Sequence, residues 1–115
     1  MTLPKVTRIL LLRAYVRNSG TTVSVINPNA SYAVTSITVG ASTARYNNQN
    51  PVSFDSVANL VAVAVTGGVA YIDPTLLSVR TTVVIGSNPN ELISNSAAQQ
   101  TYSLSFSGAV GILSD

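Results

Sequence analysis

Along much of this chain apolar and polar side chains alternate every second residue, a period that fits a strand with two different faces and no helix packed on one stripe. Residues 101–107, TYSLSFS, show it most cleanly. Tyr102, Leu104 and Phe106 fall on one face, and Thr101, Ser103, Ser105 and Ser107 on the other. Residues 76–85, LLSVRTTVVI, put Leu77, Val79, Val83 and Ile85 with Thr81 on one face, and Ser78, Arg80 and Thr82 opposite. Residues 57–65, VANLVAVAV, are apolar on both faces from Leu60 onward. That pattern suits a central strand covered twice, with a buried helix as the competing reading. Thr66-Gly67-Gly68 then reads as a tight turn and residues 69–72 as the return strand, before Asp73-Pro74 punctuates the chain.

The remaining segments extend the pattern. Residues 5–17 read as a long strand with Val6, Leu10, Leu12, Ala14 and Val16 on one face and Arg13, Tyr15 and Arg17 on the other. A helix over 4–17, stopped by Gly20, is the alternative. Residues 21–26 read as the partner strand, and 32–39 as another, with a slip in alternation near Thr35-Ser36 that predicts a bulge. Residues 40–53 form the longest connection, its tip made of Asn47, Asn48, Gln49, Asn50 and Pro51, and long loops are often contact elements. Asn88-Pro89-Asn90-Glu91 has the spacing of a helix start and predicts one short helix within 89–98. Residues 21–29 resemble 81–90, either through duplication or because Asn-Pro-Asn is a common exit from a strand. Together these features predict one all-β domain over residues 1–115. The expected form is an antiparallel β-sandwich or jelly-roll-like barrel of seven or eight strands, with residues 1–17 a strand or arm.

The chemistry is sparse. The 115 residues include no His, Cys or Trp, and their only acids are Asp55, Asp73, Glu91 and Asp115. General acid–base and nucleophilic mechanisms need a titratable group with an orienting partner, and these four acids stand far apart in sequence. Folding could still bring a pair together, as a glycosidase requires. Asp73 before Pro74 and Glu91 near a helix start have simpler local roles. Metal-ligand spacing and phosphate-loop context are both missing, so the sequence predicts no enzyme, cofactor or metal.

Only 9% of residues are charged, and 46% are hydrophobic. A surface so poor in charge predicts burial by other subunits, most simply a symmetric homo-oligomer, with a trimer favoured. Four of the six basic residues, Lys5, Arg8, Arg13 and Arg17, lie in the first 17. That segment could meet phosphates, with Tyr15 stacking on a base, or serve as an edge strand kept soluble by charge. A net charge of +2 favours the second, so nucleic acid is not expected as a partner. ILLL at 9–12 is shorter than the about 7–15 apolar residues of a signal h-region, and no run approaches the about 20 of a membrane span. The expectation is a chain made in the cytoplasm and assembled there.

A short β chain without Cys or His, rich in hydroxyls and amides, with a basic N-terminal segment and an Asn/Gln loop, resembles tailed-bacteriophage virion components. The similarity is to small capsid decoration (cement) proteins in particular. The resemblance implies a subunit that binds a major capsid protein or other virion subunits on the capsid surface and stabilises the shell. The residues expected to meet that partner are Arg8, Arg13, Tyr15 and Arg17, with Arg45, Tyr46, Asn47 and Asn48 of the long loop. The rival classes are a carbohydrate-binding or adhesin module and a nucleic-acid-contacting coat protein.

Overall fold

The computed structural model describes residues 13–42 and 50–115. Ten strands run through them: β1 (Ala14–Arg17), β2 (Thr22–Asn27), β3 (Ala33–Thr38), β4 (Val52–Asp55), β5 (Leu60–Val65), β6 (Gly68–Asp73), β7 (Ser78–Val84), β8 (Pro89–Asn95), β9 (Gln100–Ser105) and β10 (Val110–Ser114). Each pairs antiparallel with its sequence neighbour, giving three consecutive meanders: β1-β2-β3, β4-β5-β6-β7 and β8-β9-β10. A single 3-10 turn, Pro28–Ala30, is the one helical element among the described residues. The expected all-β antiparallel architecture is therefore present, with more and shorter strands than alternation alone suggested.

The sheets stack face to face, so the middle one is sandwiched. Every residue of β5 is buried, as an apolar run without alternation requires. Val61, Val63 and Ile72 pack on Val23, Val25 and Ile37 of the first sheet. Leu60, Ala62, Ala64, Val69 and Tyr71 pack toward Leu92 and Leu113 of the third. β4 lies beside β8 and β1, and β7 beside β3, so the three sheets share one orientation.

The third sheet turns an unexpected face inward. Thr101, Ser103 and Ser105 are buried against the middle sheet, while Leu104 and Phe106 are exposed. Two hydroxyls find partners there: Thr101 Oγ1 donates to Asp115 at 2.8 Å, and Ser105 Oγ meets Ser87 Oγ at 3.1 Å. Small side chains also permit close stacking. Gly111, opposite Ser103, has no room for a Cβ beside the Ser103 Oγ.

Three local expectations are overturned. Residues 89–95 are strand, not helix. Asn88 accepts from the Gly67 amide at 2.8 Å and Asn90 from the Phe106 amide at 2.9 Å, so both side chains bind neighbouring turns instead of capping a helix. The β2–β3 register runs unbroken through Thr35 and Ser36. A bulge lies instead in β7, where Ile72 pairs with Val79 but Tyr71 pairs with Thr81, leaving Arg80 extra. It breaks the single apolar face expected over 77–85: Leu77 and Val79 pack toward the first sheet, and Ile85 toward the third.

Residues 21–29 and 81–90 do not occupy equivalent places, since the second stretch runs from β7 across to β8, but another pair of segments does. Residues 23–40 match 69–86 at an offset of 46, with Val23 on Val69, Asn27-Pro28 on Asp73-Pro74 and Gly40 on Gly86. The Asn27 and Asp73 side chains accept from the amides of Asn29 and Thr75, at 3.0 and 2.8 Å. Four residues on, Ser31 and Leu77 are both left-handed. One turn chemistry thus closes the equivalent hairpin of two sheets. β10 extends the series, with Val110, Ile112 and Leu113 at the positions of Val69, Tyr71 and Ile72.

Candidate functional site

Two acids sixty residues apart in sequence meet between the middle and third sheets. Asp55 ends β4, where its Oδ1 accepts the amides of Val57 at 2.9 Å and Ala58 at 3.0 Å. Asp115 follows β10, its amide bonded to the Gln99 carbonyl at 2.8 Å and its carboxyl to Thr101. The carboxyls of Asp55 and Asp115 influence each other's titration, and the pair can share a single proton.

The surroundings decide where that proton sits. Burial alone would raise Asp55, but hydrogen bonds from the Ala58 amide, Asp115, the Val57 amide and Ser96 hold it below the ordinary aspartate value. Asp115 is raised, first by burial and then by its bond to Asp55. The directions make Asp55 the stronger acid and Asp115 the weaker, and the buried Asp55 Oδ2 has no other partner among the described residues. Tyr71 lies beside the pair, its phenol pushed far above its usual range, chiefly by burial. A cleft of about 400 Å³ opens next to it, lined by Leu60, Tyr71, Arg80, Thr81, Gln99 and Asp115. Among the described residues the third sheet has three strands, which leaves the inner face of β7 uncovered there. Chemically the pair can hold one proton and tie β4 to the end of β10. Ser53 and Ser94, whose hydroxyls meet at 2.6 Å, fasten β4 to β8 in the same region.

The basic cluster is placed differently from its expected role. Arg13, Tyr15 and Arg17 do share a face, but it is the face turned toward the middle sheet. Arg13 donates to the Pro74 carbonyl at 2.8 Å, and Arg17 to the carbonyls of Thr22 at 3.2 Å and Gly40 at 2.5 Å. Burial lowers Arg17 and raises Tyr15. The two arginines are spent on the chain's own carbonyls. Arg8, Arg45, Tyr46, Asn47 and Asn48 lie outside the described residues.

Sequence reasoning missed the outward sheet faces. On the third sheet Ile93, Leu104, Val110 and Ile112 form one apolar face, with Val110 68% and Ile112 71% exposed. The first sheet turns Val16, Ile26 and Val34 outward, with Val34 62% exposed. A shallow depression of about 290 Å³ lies there, lined by Arg13, Ala14, Ile26, Pro28 and Tyr32. Alternation recorded both faces of each strand, but only the stacking shows which is left over.

No family model matches the sequence, and no curated protein matches it. Among solved structures, Sqt1 of Saccharomyces cerevisiae superposes with a TM-score of 0.65 at 19% identity. The match covers 82% of this chain and 26% of Sqt1, so the chain spans about a quarter of that protein's length. At this identity the likeness concerns the fold.

Proposed function

We propose that this chain is a non-catalytic structural subunit that works by docking other protein subunits on its outward sheet faces. The observation that carries the reading is the third sheet's outward face, where four large aliphatic side chains stand in adjacent cross-strand rows. Contiguous apolar surface of this kind is characteristic of contact sites. The Asp55–Asp115 pair fits the same reading as an internal tie, because Asp55 is buried and held by backbone amides. In its narrower form the proposal is a virion component that decorates and stabilises a capsid. Low charge, a hydroxyl-rich composition and exposed apolar sheets support that setting, since a ligand of the assembled lattice stabilises it by mass action.

The test is sedimentation of a lysate of the source, followed with an antibody to the chain. A structural subunit travels with particles far larger than its 11.9 kDa, and in the virion form with the shell protein. Recovery wholly among species of a few tens of kilodaltons contradicts the assembly role. A carbohydrate-binding reading draws on the cleft, where Arg80, Thr81, Gln99 and Asp115 offer polar groups. Titration with a panel of mono- and oligosaccharides separates the two readings.

A further inference from the structure

The two outward faces are the two halves of one repeated interface. Within the chain each sheet offers one face to the next. The first sheet offers Val23 and Val25, and the middle sheet offers the equivalent Val69 and Tyr71. The third sheet carries Val110 and Ile112 at those positions, and there they face outward. The receiving side repeats in the same way. The middle sheet receives on Ile72 and the third on Leu113, and both are buried. The first sheet has Ile26 at that position, on its outward face beside Val34. Among the described residues, the third sheet thus leaves an offering face uncovered and the first sheet a receiving face.

From this we infer that the outward face of the third sheet docks on the outward face of the first sheet of a second copy, and that two copies close into a ring of six sheets. The inference rests on the assembly reading above and names its immediate partner. Inside the chain, Tyr71 shares a cluster with Leu113. Their equivalents are Ile112 and Ile26, which places Ile112 of one copy over the depression that Ile26 lines in the other.

Contact area argues for closure. Three strands about 4.8 Å apart and five residues at about 3.4 Å each give a face of roughly 250 Å² in projection. Even with side-chain relief, one such contact falls short of the about 800 Å² per partner that stable pairs bury, and two contacts per copy approach it. Radially stacked meanders close with four to eight sheets, and with the three sheets described per copy, two copies fall in that range. A head-to-tail pair that closes has twofold symmetry and leaves no face open.

The test uses the 115-residue chain and two variants at exposed positions, Val34→Lys on the receiving face and Ile112→Lys on the offering face. Sedimentation equilibrium at tens of micromolar should give twice the chain mass for the wild type and the monomer mass for each variant. Circular dichroism should be unchanged in all three. An equimolar mixture of the variants retains one intact contact, offered by the Val34→Lys copy and received by the Ile112→Lys copy. It should associate at least tenfold more weakly than the wild type but measurably. A monomeric wild type, or one of three copies, overturns the two-copy ring. A Val34→Lys variant that stays dimeric shows like-with-like pairing and also overturns it, as does a mixture that never associates. Val110→Lys replaces Ile112→Lys if that variant misfolds. These measurements need no other subunit, so their failure is distinct from failure of the lysate sedimentation.

Discussion

Leu113 and Ile112 are adjacent on β10, similar in size and opposite in environment, so truncating each to Ala tests the stacking residue by residue. Leu113 is buried in the cluster between the middle and third sheets, with Leu92, Val69 and Tyr71. Removing three of its carbons forfeits about 2.4 kcal/mol of transfer free energy at about 0.8 per methylene. The cavity left behind adds to this, and measured Leu→Ala losses run from about 2.7 kcal/mol upward. We expect about 3 kcal/mol for Leu113→Ala, since β10 is an end strand whose surroundings can partly close in. Ile112→Ala should cost no more than about 0.5 kcal/mol in the dilute, unassociated chain. With a urea slope of about 1.5 kcal/mol/M, the midpoints fall by about 2 M and about 0.3 M. The chain has five Tyr and no Trp, so tyrosine emission reports the transition. The comparison is sharp because a one-residue change of register would exchange the two environments. Equal losses, or the larger loss at Ile112, would refute the stacking.

Other expectations follow from individual contacts. The carboxyl pair makes stability depend on pH in both directions. The raised Asp115 contributes below the ordinary aspartate value, and that stability is lost as pH climbs through its raised value. The depressed Asp55 contributes above the ordinary value, and loses it as pH falls through its lowered one. Melting temperature should therefore peak in mild acid, and Asp115→Asn, which cannot ionise, should remove the decline on the neutral side; an unchanged profile in that variant contradicts the shared proton. Gly68→Ala should destabilise by 2 kcal/mol or more, on the order of other overpacking changes, because a Cβ there runs into the Val83 backbone carbonyl. A urea midpoint equal to wild type would refute that close approach. Deleting Arg80 removes the bulge and forces residues 77–79 and 81–85 onto one register; loss of cooperative unfolding is the expected result, and a stable, cooperative variant would deny the bulge its role.

The sequence was most legible where one strand could be read alone. Period two located β2, β3, β7 and β9, the unalternating run at 60–65 announced β5 as a strand covered on both faces, and the turn at Gly67-Gly68 placed β6 as its return strand. It failed wherever the answer depended on a neighbouring sheet. In β9 the hydroxyl face is buried, because Asp115 and Ser87 meet two of its hydroxyls and the small side chains admit close stacking, and none of this is local. The spacing at 88–91 was a sound helix signal, but both asparagines bind turns more than fifteen residues away. Arg13, Tyr15 and Arg17 were correctly grouped on one face. Whether that face met solvent or protein depended on carbonyls at 22, 40 and 74. Likewise Asp55 and Asp115 become a pair only when β4 and β10 are brought together.

The most direct test of the account is a thiol cross-link, which this cysteine-free chain permits cleanly. Ile26→Cys and Ile112→Cys are made separately, mixed in equal amounts and oxidised gently, and the covalent dimers are identified by mass after digestion. The stacking predicts that the 26–112 product forms first and dominates both like pairs. Predominance of the 112–112 product, or a statistical mixture of all three, would contradict it.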